Sequence, residues 1–248
     1  KHAVGVVAVD PTSPFSGGAV LGDRQRMQSH HADTGLYIRS MATRGFLGGL
    51  ASTTSDIASI VEASGKTLLM IETVGVGQDE VDIVRLADVT IVVLVPGLGD
   101  DVQSIKAGVL EIADIFVVNK SDREGADRVE REIRAMQSLG GHGDGWIPPV
   151  VRTVANTGEG IGLLAEAIDR YSTWLQQNGR LEQKRAAAWR ERLLEMIRQR
   201  LTRELVQHRM GTSEIEGYAR AVSQGDEDPY VLVERLVRGL LDLHRSEP

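Results

Sequence analysis

The 248-residue sequence contains no cysteine. That excludes disulfides and thiolate-held metals, and it fits a reducing compartment, so a cytoplasmic location is expected. No apolar run approaches the roughly 20 residues of a membrane span. The first residues lack the charged segment followed by an apolar core that marks a secretory leader, and no membrane partner is expected. Positive charge is also scarce, with 28 Lys and Arg against 35 Asp and Glu for a formal net charge of −7. This balance argues against a general nucleic-acid-binding surface. The six histidines are scattered, and the adjacent His30 and His31 are not spaced for a metal on one helix face. What remains is 42% apolar and 25% charged, an ordinary globular composition with length enough for one full α/β domain and an appendage.

The chain is organised around Lys66 to Glu80, KTLLMIETVGVGQDE. Lys66 to Ile71 reads as a short buried strand bounded by Gly65, and Glu72 arrives where the apolar run ends. In an open α/β sheet the crevice beyond the carboxyl ends of the strands is where ligands bind, which directs Glu72 at a ligand. Gly75 and Gly77 then allow the backbone to approach a phosphate or to change conformation. Strand, acid and glycine loop together suggest a nucleotide switch, and the alternative is a turn carrying a surface acid.

Further apolar runs at 3–9, 36–40, 89–95, 115–118 and 150–154 read as strands, and 10–18, with its prolines and glycines, reads as a loop. Helical spacing is expected for about fifteen residues ending at Gly65, then over 103–113, 124–139 and 161–177. Asp23 is a candidate cap for a short helix reaching Gln28. The alternation predicts an α/β fold with a doubly wound, mostly parallel sheet, forming one domain over 1–179. Beyond Gly179 no strand-like run occurs. Residues 180–210 read as one long helix with an apolar stripe at Leu193, Leu194, Ile197, Leu201 and Leu205. Ser213 with Glu216 matches a capping box, and Asp228-Pro229 opens a last helix. Residues 180–248 are therefore expected to form a C-terminal helical arm, whose stripe could pack on the first domain, within its own hairpin, or on a second copy of the chain, a homodimer being the preferred arrangement.

Asn119-Lys120-Ser121-Asp122 follows a buried strand and matches the N-K-x-D guanine-recognition motif. A carboxylate at Asp122 can accept from both the ring N–H and the exocyclic amine of guanine, whereas adenine leaves it unsatisfied. Asp10, Asp23 and Glu72 are the candidate magnesium ligands, since a hard divalent cation on a triphosphate takes oxygen donors.

Three segments, VAVDPTSPFSGGAVLGDRQRM (7–27), IETVGVGQDE (71–80) and NKSD (119–122), in this order and spacing resemble the GTPase chaperone family associated with methylmalonyl-CoA mutase. Some members of that family carry an older label as arginine/ornithine transport kinases, and the wider group includes nickel-insertion GTPases. The resemblance covers essentially the whole chain. It implies that GTP or GDP is bound with Mg2+, that Asp10, Asp23 and Glu72 contact the magnesium, and that Asp23 and Arg26 lie in a first switch. It further implies that Gly75 to Glu80, with Gly77, form a second switch, that Asn119, Lys120 and Asp122 hold guanine, and that Gln103 and Lys106 are polar contacts of a third segment relaying nucleotide state to the mutase. Read without the resemblance, Lys106 is a surface helix lysine. The partner implied is an adenosylcobalamin-dependent acyl-CoA mutase, with methylmalonyl-CoA mutase favoured.

One departure stands out. The family's phosphate loop, G-x-x-x-x-G-K-[ST], is absent, and the stretch from Gly45 to Gly49 has no Lys-Ser/Thr after it. Because Ala3 to Val9 already reads as a strand, the sequence is expected to be a fragment of a longer polypeptide that carries the loop upstream of Lys1, together with a central strand of the sheet. A GTPase that gates cofactor loading and protects or reactivates the mutase is the leading reading. An ATP-dependent kinase of a transport protein, disfavoured by NKSD, and a non-catalytic interaction module are the alternatives.

Overall fold

The computed structural model describes residues 3–10, 33–42, 49–73, 84–97, 112–139, 145–204 and 211–243. The chain divides into two compact units, Lys1–Arg190 and Glu191–Pro248.

In the first unit, β1 (Val4–Asp10) lies between β2 (Leu36–Ala42) and β3 (Leu68–Thr73), and both pairings are parallel. Helix α1 (Gly49–Ala63) covers one face of this sheet, where Val7, Val9 and Met41 form a buried cluster with Ile57, Leu69 and Ile71. The packing is close enough that a Cβ on Gly5 would fall 2.4 Å from a Val61 methyl carbon. A second parallel sheet has β5 (Ile115–Asn119) between β4 (Ile91–Leu94) and β6 (Val150–Thr153). Helix α2 (Ala126–Leu139) packs Ala126, Val129 and Ile133 on Phe116 and Val118, while α3 (Ile161–Gln177) brings Ala167 onto Ile115, Val117 and Val151. Covered on both faces, β5 has no polar side to show, which is why its sequence is an unbroken apolar run rather than an alternating one.

Parallel strands with helices between them are the expected α/β architecture. The strands form two three-stranded sheets among the described residues rather than one continuous sheet. The outer strands β3 and β4 expose large apolar side chains, Leu68 at 42%, Met70 at 48% and Val93 at 57%, where a central strand of a doubly wound fold is ordinarily covered.

Local boundaries differ from expectation for identifiable reasons. The β4 ladder is confined to Ile91–Leu94, shorter than 89–95, because Thr90 turns its carbonyl to Asp114 and Ile115 at the strand's start and Pro96-Gly97 closes its end. Helix α2 begins at Ala126 and not at 124 because Gly125 adopts φ 95°, a left-handed conformation outside the helix. The helix expected over 103–113 and the short helix after Asp23 lie outside the described residues.

Helix α4 (Arg180–Arg203) starts in the first unit, and its first turns are fixed there by charge. Lys184 Nζ donates to Asp114 Oδ2 at 3.0 Å and to the Asp88 carbonyl at 2.8 Å, and Arg185 grips the Asp88 carboxylate through two nitrogens at 2.9 and 2.7 Å. The neighbouring rings of Trp146, Tyr171 and Trp174 form a cluster capped by the Arg180 guanidinium, 5.3 Å from the Trp174 ring centre. In the second unit, the rest of α4 leads to α5 (Thr212–Gln224) and α6 (Pro229–Leu243). Leu193, Leu194, Ile197 and Leu201 are exposed. The N-cap of α5 is Gly211 and not Ser213, with the Glu214 carboxylate accepting the Gly211 N–H at 3.3 Å. Asp228 caps α6 as expected, its Oδ1 accepting from the Tyr230 and Val231 amides at 2.8 and 3.1 Å. No helix among the described residues is long and apolar enough to cross a membrane.

Candidate guanine pocket

Asn119 is the last residue of β5 and pairs in register with Thr153, the last of β6. Its Oδ1 accepts from the Thr153 hydroxyl at 3.2 Å and from the Ala155 amide at 3.1 Å. Both donors take the same oxygen, so the amide nitrogen is left to serve as the donor toward the pocket. Lys120 then turns the chain at φ 55°; among the described residues no other non-glycine takes a positive φ. Such a conformation is uncommon for a residue with a Cβ and marks a place where the surroundings impose the backbone. The turn is held by the Ser121 amide on the Thr153 carbonyl at 3.1 Å and the Arg123 amide on the Lys120 carbonyl at 3.0 Å.

A shallow pocket opens here, lined by Asn119, Lys120, Asp122, Arg123, Val154, Ala155 and Asn156. The Asp122 carboxylate is exposed and has no hydrogen-bond or ion-pair partner among the described residues. An unpaired carboxylate at the rim, held by a rigid turn, is an acceptor waiting for paired donors such as those on the guanine edge. Sequence reasoning brought Asn119, Lys120 and Asp122 together but missed the facing wall, Val154 to Asn156. The available signal was the turn-forming Ala-Asn-Thr-Gly that follows β6 on the same carboxyl edge as NKSD.

An ion network joins the elements on either side of the pocket. On β6, Arg152 meets Glu130 of α2 through Nε at 2.6 Å and Asp127 through a terminal nitrogen at 2.6 Å, and Arg134 also reaches Glu130 at 2.8 Å. Hydrogen bonding from Arg134, with the further contribution of Arg152, holds the Glu130 carboxyl below the usual range, and Glu130 in turn raises Arg152. Thus the helix that follows the NKSD turn is tied to the strand that precedes the opposite wall.

The magnesium candidates are less complete. Glu72 is exposed near the end of β3, and its register partner Ala8 lies two residues before Asp10, the last residue of the adjacent β1. Both positions lie at the carboxyl end of neighbouring parallel strands, and both are carboxylate residues, the type that supplies the hard oxygen donors Mg2+ takes. Asp23, Arg26, Gly75, Gly77, Gln103 and Lys106 lie outside the described residues. Among the described residues no group of three or more His, Asp or Glu stands together as a metal site.

Comparison with known proteins places the chain among relatives. The family model of the methylmalonyl Co-A mutase-associated GTPase MeaB matches residues 1–210. A Pyrococcus abyssi relative, whose name assigns it as a GTPase only provisionally, is 48% identical over 243 residues, covering 96% of this chain and 74% of its own. The GTPase ArgK of Escherichia coli is 34% identical over 221 residues, 88% of this chain and 66% of its own. The mouse protein named methylmalonic aciduria type A homolog, mitochondrial, is 32% identical over 247 residues, 98% of this chain and 60% of its own. A crystal structure described as the LAO/AO transport system kinase superposes with a TM-score of 0.66 at 25% identity, over 97% of this chain and 72% of the other. These relatives share a P-loop GTPase fold with this chain, whose NKSD turn lies at the carboxyl end of a parallel strand. With its guanine motif, its parallel α/β architecture and a family match that spans both, the chain belongs to the methylmalonyl-CoA mutase-associated GTPase family, MeaB.

Proposed function

We propose that this chain belongs to a GTP-binding and GTP-hydrolysing chaperone that gates cofactor loading into an adenosylcobalamin-dependent acyl-CoA mutase and protects or reactivates that enzyme, methylmalonyl-CoA mutase being favoured. The observation that carries the reading is the pocket at the end of β5, lined by Ala155, Asn156, the pinned Asn119 and Asp122, which has no hydrogen-bond or ion-pair partner among the described residues. The mutase association rests on the family's description and is carried to this chain as part of the proposal.

In this reading Asn119, Lys120 and Asp122 hold the guanine of GTP or GDP, and Asp10, Asp23 and Glu72 hold the magnesium, which supplies charge neutralisation on the phosphates. Asp23 and Arg26 act in a first switch, Gly75 and Gly77 in a second, and Gln103 and Lys106 relay nucleotide state to the mutase. Triphosphate binding in this reading is conditional on a phosphate loop, because backbone amides at a helix N-terminus are what neutralise such a group. Residues 1–179 form the nucleotide domain of the proposal and 180–248 the arm, which makes a homodimer in the cytoplasm.

The kinase reading has one support, the description of the solved relative as a transport system kinase. It is separated from the GTPase reading by base choice. Asp122→Asn should weaken GTP and favour xanthosine triphosphate in a competition assay on the natural full-length protein, because an amide can donate to the xanthine carbonyl where the carboxylate accepted from the guanine amine. Unchanged base preference, or a preference for ATP in the parent protein, removes the guanine reading.

A further inference from the structure

We infer that Gly160 is a positioning residue for the base pocket: its missing side chain lets the loop from Val154 to Gly160 seat against β6 and so sets where the pocket's second wall stands. The inference rests on the guanine reading of that pocket and deepens it.

Gly160 is the N-cap of α3 and takes φ 76°, ψ −9°. A Cβ built on it would lie 2.0 Å from the Arg152 carbonyl oxygen, 3.0 Å from the Arg152 carbonyl carbon and 3.1 Å from the Thr153 Cα. All three are backbone atoms of a strand, which cannot swing aside as a side-chain tip does. Relieving the contact to an ordinary van der Waals distance requires a shift of more than about 1 Å between the loop and β6. Between Gly160 and the pocket the loop has little slack. The Val154 amide donates to the Glu159 carbonyl at 3.0 Å, and the Thr157 and Gly158 amides donate back to the Val154 carbonyl at 3.1 and 3.0 Å. A displacement at Gly160 is therefore passed to Val154, Ala155 and Asn156, three of the residues that line the pocket.

The same displacement acts on Asn119. Thr153 is 2% exposed, and its hydroxyl reaches Asn119 Oδ1 at 3.2 Å, already long for an O–H donor. The companion bond from Ala155 spans 3.1 Å and begins in the loop itself. A shift of about 1 Å at either donor removes the bond, freeing the Asn119 amide to rotate in the pocket. Gly158 supplies an internal comparison. It has a similar φ of 79°, but a Cβ there would meet no atom within 4 Å. Alanine at either position strains the backbone alike, while only alanine at 160 pushes against Arg152 and Thr153.

The experiment measures GDP and IDP affinity of the natural full-length protein and of its Gly160→Ala, Gly158→Ala and Thr153→Val variants by calorimetry, with folding followed by thermal denaturation. IDP lacks the exocyclic amine, so the GDP to IDP ratio reports how well the pocket presents the base to Asp122, a quantity that general destabilisation leaves alone. Gly158→Ala should keep the parent ratio. Gly160→Ala should lose about tenfold or more in GDP affinity, in line with the effect of an ångström-scale misplacement, and its ratio should fall toward one. Thr153→Val, which removes only the hydroxyl, should move the ratio in the same direction. A folded Gly160→Ala variant with the parent ratio overturns the inference, as does an unfolded one accompanied by a Thr153→Val variant with the parent ratio. A parent protein that binds IDP as well as GDP overturns the guanine reading itself, and the role of Gly160 with it.

Discussion

Lys184 and Asp114, 70 residues apart in the chain, meet at 3.0 Å and fasten the first turns of α4 to the start of β5. Asp114 is a shared acceptor. Its Oδ2 also takes the Thr90 amide at 2.8 Å, its Oδ1 takes the Tyr171 hydroxyl, and its carbonyl takes the Trp146 indole N–H at 2.9 Å. The opposite end of the same strand carries Asn119, so one short buried strand serves the candidate pocket at its carboxyl end and holds the first turns of α4 at its amino end.

Lys184→Met keeps most of the aliphatic stem and removes the charge that Asp114 and the Asp88 carbonyl share. The expected loss of stability is about 1–3 kcal/mol, the cost of under-satisfying partly buried acceptors. Urea unfolding checks it, and the double variant with Asp114→Asn should recover part of the loss because the unpaired charge is then gone. Equal midpoints for the parent and Lys184→Met would mean that the ion pair is incidental.

Glu130 yields a pH dependence. Its folded pKa is depressed, chiefly by the hydrogen bond from Arg134. A depressed carboxyl contributes stability that is fully present above its unfolded value, about 4.3, and is lost as the pH falls through the lower folded value. Thermal midpoints of the parent and of Glu130→Gln should therefore differ at pH 7 and converge in acid below that window. A constant gap across the series would show that Glu130 does not titrate against this network.

Glu72→Ala should reduce magnesium-dependent GTP hydrolysis strongly while leaving the folding free energy within about 0.5 kcal/mol of the parent, as expected for an exposed side chain at a strand end. Asp10→Ala should reduce hydrolysis in the same way. Turnover measured at saturating magnesium is decisive, and full activity in both variants would remove these acids from the proposed metal shell.

The arm makes a separate claim. Leu193 is 53% exposed, Ile197 53% and Leu201 57%, and on α6 Val233 is 58% exposed, a spread of apolar surface in the second unit that its own helices leave open. Two-fold packing against a second arm is the expected cover. Sedimentation of the natural full-length protein at micromolar concentration should give a dimer; a monomer with and without nucleotide rules the arm-mediated dimer out.

The elements legible in the sequence are those whose cause is local. The run at Ile115 to Val118 announces a strand buried on both faces, and NKSD after it carries its chemistry in its own side chains. Ile161 to Gln177 shows a helical period and forms that helix. Asp228-Pro229 is a cap by residue type alone and caps α6. Other features are set by residues remote from one another. Nothing near Asn119 foretells that Thr153 and Ala155, 34 and 36 positions away, will fix its amide, and nothing near Gly160 shows that its Cα must pass the backbone of Arg152. Asp114 is joined by Tyr171 and Lys184, 57 and 70 positions away. The sequence by itself determined the parallel α/β class and the NKSD motif after β5, because periodicity and side-chain chemistry act within a few residues. Only the tertiary structure decided where the pocket's second wall stands and what holds the first turns of α4, because those depend on register between strands and on contacts closed over long loops, which leave no periodic trace along the chain.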